Sequence, residues 1–164
     1  MVGSPMRIAT LFALLLALAV PASTAAGPPP DMEPCAAGEV ERVVARFVFA
    51  FNARRLVALD RVFAREPGFE WYSTGAPGAR VGPAAYERST LMPYFRARQR
   101  QGERLRLVRL RGNGNANGYG HFQFLLERRT RTLPPRVYEG KGAAICAAGG
   151  DTIAVWSVGA RLVR

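Results

Sequence analysis

The sequence predicts one small α+β domain, with helices gathered at the front and strands at the back. Three observations carry this. From Val40 to Phe51 apolar residues recur at three- and four-residue steps, the period of a helix with one buried face. From Arg104 onward, strand-like segments alternate with Asn/Gly turns, the pattern of a meander. And 164 residues that are 49% apolar suit a single core and are too apolar for a disordered chain.

The chain begins with a targeting segment. In residues 1–26 Arg7 is the only charge, Ile8 to Val20 is an apolar run, and Pro21 gives way to Ala22, Ser23, Thr24, Ala25 and Ala26. A positive start, a short apolar core and a small-residue exit make a secretory signal peptide. The competing reading, an uncleaved anchor, needs about 20 apolar residues, and the run falls short unless it continues through Pro21. Cys35 follows Met32-Glu33-Pro34 rather than the small apolar residues of a lipidation site. Residues 27–37, with Pro28 to Pro30 and Cys35, read as a stiff linker, and 38–164 as the folded domain. The expected location is secreted or periplasmic, with no membrane span after cleavage. In an oxidising compartment Cys35 and Cys146 can form an intrachain bond, which would contribute about 4–5 kcal/mol by loop entropy. Two free thiols or an intermolecular bridge are the alternatives.

The elements follow in order. Gly38 to Arg54 is the first helix, with Glu39 and Glu41 near its positive end and Arg54 and Arg55 near its negative end. A short helix from Leu56 to Arg65 buries Leu56, Leu59 and Phe63 and stops at Pro67-Gly68. Phe69 to Thr74 is aromatic and strand-like, 75–83 is a Gly/Pro loop, and Ala84 to Gln101 is helical with a break or new first turn at Pro93. Strands are expected at Arg104–Arg111, Tyr119–Arg128, Tyr138–Ala147 and Thr152–Val163. In the first of these the apolar phase shifts from Leu105 and Leu107 to Val108 and Leu110, which predicts a bulge. GNGNANG at 112–118 is turn chemistry.

The formal charge is +11, and Lys141 is the only lysine among 23 cations. Together with abundant Ala, Gly and Pro this is what GC-rich codons produce, which weakens any step from charge to nucleic acid. The basic run from Arg96 to Arg111, relieved by Glu103, has no interleaved aromatics for stacking on single strands. It reads as a solvated face or as a stripe for anionic partners, and no nucleic acid is expected. Gly112, Gly114 and Gly118 miss the dinucleotide spacing and precede a strand. One histidine and two cysteines cannot build a usual zinc site. No cofactor and no metal are expected.

The order of elements, with FVFAFNARRLVALDRVF followed by FEWYSTG and later GKGAA at Gly140 to Ala144 and Trp156, resembles the nuclear transport factor 2-like superfamily, which includes ketosteroid isomerases and SnoaL-like polyketide cyclases. Arg55 departs from it, since many relatives are acidic there. The resemblance spans about Val40 to Leu162. It implies a strongly curved, mainly antiparallel sheet clasping three helices around a cone-shaped apolar hollow.

In such a cone the core and the cavity wall are one surface. Phe47, Phe51, Trp71, Tyr94, His121, Gln123 and Trp156 are the expected lining. His121 shares a strand face with Tyr119, Gln123 and Leu125, while Phe122, Phe124 and Leu126 take the other. Outside, it is inert; inside, it is a candidate general base. Asp60 is the second candidate base, although pairing with arginine suits it equally. The expected function is an exported small-ligand-binding domain for an apolar or amphipathic molecule. The alternatives are an isomerase, cyclase or dehydratase using His121 or Asp60, and a homodimerising or anion-binding module.

Overall fold

The computed structural model describes residues 32–65, 69–73 and 88–161. The expected signal peptide, the loop at 75–83 and the expected helix start at 84–87 lie outside the described residues. Among the described residues no helix is long and apolar enough to cross a membrane.

Helix α1 (Ala37–Asn52) buries the expected stripe, Val40, Val43, Val44, Phe47, Val48 and Phe51. Glu39 accepts the Ala36 N–H at 2.8 Å at the positive end of the helix. The helix ends two residues early because Arg54 adopts φ +56°, a left-handed conformation that few non-glycine residues take. Asn52 then stitches the helix end to the next layer: its side chain donates to the Leu105 carbonyl at 2.7 Å and accepts the Leu105 N–H at 2.9 Å. Helix α2 (Leu56–Val62) is shorter than predicted, because Phe63 turns extended and bridges to Ile153.

Strand β1 (Glu70–Ser73) and helix α3 (Arg88–Arg100) follow, then β2 (Arg104–Gly114), β3 (Tyr119–Arg129), β4 (Arg136–Ile145) and β5 (Thr152–Arg161). α3 runs through Pro93 without a break, and Pro93 is exposed. A proline lacks the N–H that would serve the Ser89 carbonyl, a loss that solvent can meet at an exposed turn. The sheet order is β1-β5-β4-β3-β2. β2 to β5 form the expected antiparallel meander, and β1 joins parallel to β5. The register of β2 against β3 shifts between Leu107 and Arg109, where the apolar phase changes. β2 continues to Gly114, so the turn narrows to 115–118, with the Asn115 carboxamide accepting the Asn117 and Tyr119 N–H groups. Cys35 and Cys146 are bonded, Cα atoms 5.4 Å apart across 111 positions, which fastens the entry to α1 onto the end of β4.

The concave face of the sheet closes over α1, and rings fill the space between them. Phe47 lies 4.4 Å from Trp156, 5.4 Å from Phe95 and 5.5 Å from Phe63, centre to centre. Trp156 stacks on Phe124 at 4.5 Å. Gly140 and Gly142 make this possible. A Cβ at Gly140 would lie 2.1 Å from the Phe124 ring, and one at Gly142 2.3 Å from the Phe122 ring, so the two glycines of GKGAA are the slots into which the β3 rings fit.

Candidate functional site

Along the inward face of β3 the side chains run Phe122, Phe124, Leu126, Arg128, all buried. The apolar interior therefore ends in a guanidinium. Around Arg128 gather groups from three other elements: Ser73 at the end of β1, Tyr94 and Arg98 on α3, and Glu103 just before β2. Arg128 Nε donates to Glu103 Oε1 at 2.6 Å, and Nη2 to the Tyr94 hydroxyl at 2.9 Å. Ser73 Oγ lies 3.3 Å from Nη1 and 2.9 Å from the Tyr94 hydroxyl. Arg98 closes on the other Glu103 oxygen. Burial alone would pull the Arg128 pKa down. The Tyr94 and Glu103 oxygens more than offset it, so the guanidinium is held above its ordinary value and stays charged. Its planar fork explains why arginine and not lysine occupies the position, since it serves several acceptors in one plane.

Arg136 stands directly opposite Arg128 in the β3–β4 register. Its Nε is buried and has no hydrogen-bond partner. Next along β4, Tyr138 lies with its ring 5.3 Å from the Arg128 guanidinium carbon. Among the described residues this end of the interior thus holds Arg98, Arg128 and Arg136 against one carboxylate, Glu103.

The expected site residues fall into two sets. Phe47, Phe51, Trp71 and Trp156 are buried, and the Phe47 ring meets those of Phe51 and Trp156 at tilted angles. Trp71 donates its indole N–H to Thr90 at 3.0 Å and lies 4.5 Å from the half-buried ring of Tyr94. His121 and Gln123 are exposed on the outer face of the sheet, which corrects the inward expectation for both. The Phe122–Phe124 face faces α1, and the period of two sends His121 and Gln123 the other way. Gln123 lines a groove of about 310 Å³ on that outer face with Glu139, Lys141 and Ser157. Asp60 is held by Arg88 at 2.5 Å and Arg65 at 3.0 Å. It ties α3 to α2, the arginine-paired role, and it is not brought near His121's face or the Arg128 cluster. Arg128 sits in no motif, although counting by twos from Phe122 places it inside. Glu103 carried only one signal, its isolation within the basic run.

No family model matches the sequence, and no curated protein does. Solved structures do match. A candidate dehydratase of the nuclear transport factor 2-like family from Streptomyces avermitilis superposes with a TM-score of 0.64 at 8% identity, covering 77% of this chain and 96% of its own. The chain has the nuclear transport factor 2-like fold. Two further structures share that fold. An uncharacterised protein with a cystatin-like fold from Caulobacter vibrioides gives a TM-score of 0.61 at 13% identity, over 77% of this chain and 89% of its own. A ketosteroid isomerase-like protein from Erwinia carotovora atroseptica gives 0.57 at 11%, over 77% and 96%. At these identities the nuclear transport factor 2-like likeness is one of architecture, and it is the same architecture that the order of elements predicted.

Proposed function

We propose that the chain is an exported binding domain that holds a small amphipathic anion at the polar end of its cone. The apolar part of the ligand rests against Tyr94, Tyr138 and Met92, which are half-buried beside the core. Its carboxylate meets Arg136. The observation that carries this reading is the Nε of half-buried Arg136, itself buried and without an acceptor, opposite the buried Arg128. A buried donor left unmade costs about 1–3 kcal/mol, and an incoming carboxylate removes that cost while balancing the excess charge. Export is supported by the features of residues 1–26 and by the Cys35–Cys146 bond. Binding is favoured over proton transfer because His121 is in water and Asp60 is held by two arginines, while Glu103 is clamped by Arg98 and Arg128.

A thermal-shift panel of arylalkanoic acids, set against their methyl esters, tests the reading. The acids should raise the melting temperature and the esters should not. Arg136→Gln should abolish the difference while unfolding with an unchanged denaturant slope. Equal shifts with acids and esters, or an Arg136→Gln protein that still prefers acids, would refute it.

A further inference from the structure

At the corner between α1 and α2, large apolar side chains stand in water among arginines. Phe49 is 63% exposed and Val57 68% exposed, although each sits on a helix whose other face is buried. Phe49, Ala58 and Val62 floor a groove of about 290 Å³ rimmed by Arg46, Arg55 and Arg61. The Arg55 guanidinium carbon lies 5.6 Å from the centre of the Phe49 ring, a cation–π contact in place of an acid. The neighbouring carboxylates are already engaged: Asp60 with Arg65 and Arg88, Asp151 with Arg46. Among the described residues Arg54, Arg55 and Arg61 form no ion pair. The basic surface continues past the helix end. Arg104 donates to the Asn52 carbonyl, and with Arg129 it lines a second groove of about 400 Å³.

We infer that this corner docks the protein on an anionic phospholipid surface. Phe49 and Val57 enter the boundary between headgroups and acyl chains, and Arg54, Arg55 and Arg61 meet the lipid phosphates. Guanidinium forks match phosphate oxygens, and arginine stems lie along apolar surface while their heads stay at the polar boundary. A basic rim around protruding apolar side chains matches a layer that offers both chemistries within a few ångströms. A stable protein interface needs about 800 Å² from each partner, and two protruding side chains with a small groove supply little of that. A bilayer sets no such threshold, since each inserted side chain contributes singly.

The test uses the mature chain, residues 27–164, carrying Phe49→Trp, and vesicles of phosphatidylcholine, alone or mixed with phosphatidylglycerol. Trp71 and Trp156 are buried, so a change in emission reports position 49. Emission should shift to the blue, and brominated acyl chains should quench it, only when phosphatidylglycerol is present. Added salt should reverse both. Arg55→Gln with Arg61→Gln should weaken binding by about ten- to thirtyfold, whereas Arg109→Gln with Arg111→Gln, on the outer sheet face, should leave it unchanged. A tryptophan that stays in water with both vesicles overturns the inference, as does an equal shift with neutral vesicles or an equal loss from the Arg109/Arg111 pair. A shift that needs only higher protein concentration assigns the corner to a second copy of the chain. A shift produced by polyglutamate but not by vesicles assigns it to an acidic protein. Either result also overturns the inference.

Discussion

Glu127 and Arg128 are neighbours on β3 that live on opposite faces of one sheet, and each has an opposite charge for a partner. Outside, Glu127 accepts from Arg106 at 3.2 and 2.6 Å, with the Arg106 side chain 65% exposed. Inside, Arg128 and Glu103 are both buried, at 6% and 4% exposure. Hydrogen bonding and charge from Glu127 raise the Arg106 pKa; burial pulls the Arg128 pKa down, and charge and hydrogen bonding from Tyr94 and Glu103 carry it back above its ordinary value. The chemistry is the same, and the difference lies in what happens when a pair is broken. Water replaces a lost partner on the outer face. Inside, nothing does, and the orphaned charge bears its full desolvation penalty.

The largest effect should therefore come from Glu103→Gln. It leaves Arg128 and Arg98 without their carboxylate and should lower the unfolding free energy by about 3–5 kcal/mol, read from urea denaturation. Adding Arg128→Met should recover much of that loss, because a well-packed apolar pair often matches a buried ionic one. A Glu103→Gln protein with the wild-type urea midpoint would erase the distinction between the two faces.

Next in size is Gly140→Ala, which probes the inner face where it is apolar. The new methyl group would press on the Phe124 ring and on the Ser157 carbonyl, so a loss of about 1–3 kcal/mol is expected by the same denaturation. Gly140 also illustrates what could be read in advance. GKGAA was recognisable as a pattern, and the stripe on α1, the β2 bulge and the element order followed from period and turn chemistry. Those signals are local, carried by a few adjacent residues. The slots that Gly140 and Gly142 provide depend on rings from the neighbouring strand, which no local pattern reports. Arg128 lay between the two cases. Its inward phase was countable from Phe122, but its partners Glu103, Tyr94 and Ser73 arrive from three separate stretches of chain. His121 is the only imidazole in the sequence, yet the period that buries Phe122 sends it outside.

Glu127→Gln brings the comparison to the outer face. Arg106 then loses its carboxylate but keeps its water, so the urea midpoint should stay within measurement error of wild type. A clear drop would mean that the outer pair is coupled to the packing beneath it, and the contrast drawn from burial would need another cause.

The smallest effect expected is a titration on the outer face. The Tyr72 hydroxyl donates to Glu70 at 2.6 Å. That hydrogen bond, then desolvation, then the Glu70 charge raise the Tyr72 pKa above its ordinary 10.0. A folded-state pKa above the unfolded one means that the contribution is fully present below pH 10.0 and is lost as pH rises through the raised value. It is small because both groups are in water. Ultraviolet difference titration against Tyr72→Phe isolates this phenol among the five tyrosines. Its midpoint should lie above the ordinary value in the wild type and fall back toward it in Glu70→Gln, since the neutral amide withdraws the charge that resisted ionisation. The same titration in Glu103→Gln should leave Tyr72 in place, because the sheet separates the two carboxylates. If instead Tyr72 moves with Glu103, the faces communicate, and the inner network would have to be treated as part of the outer one.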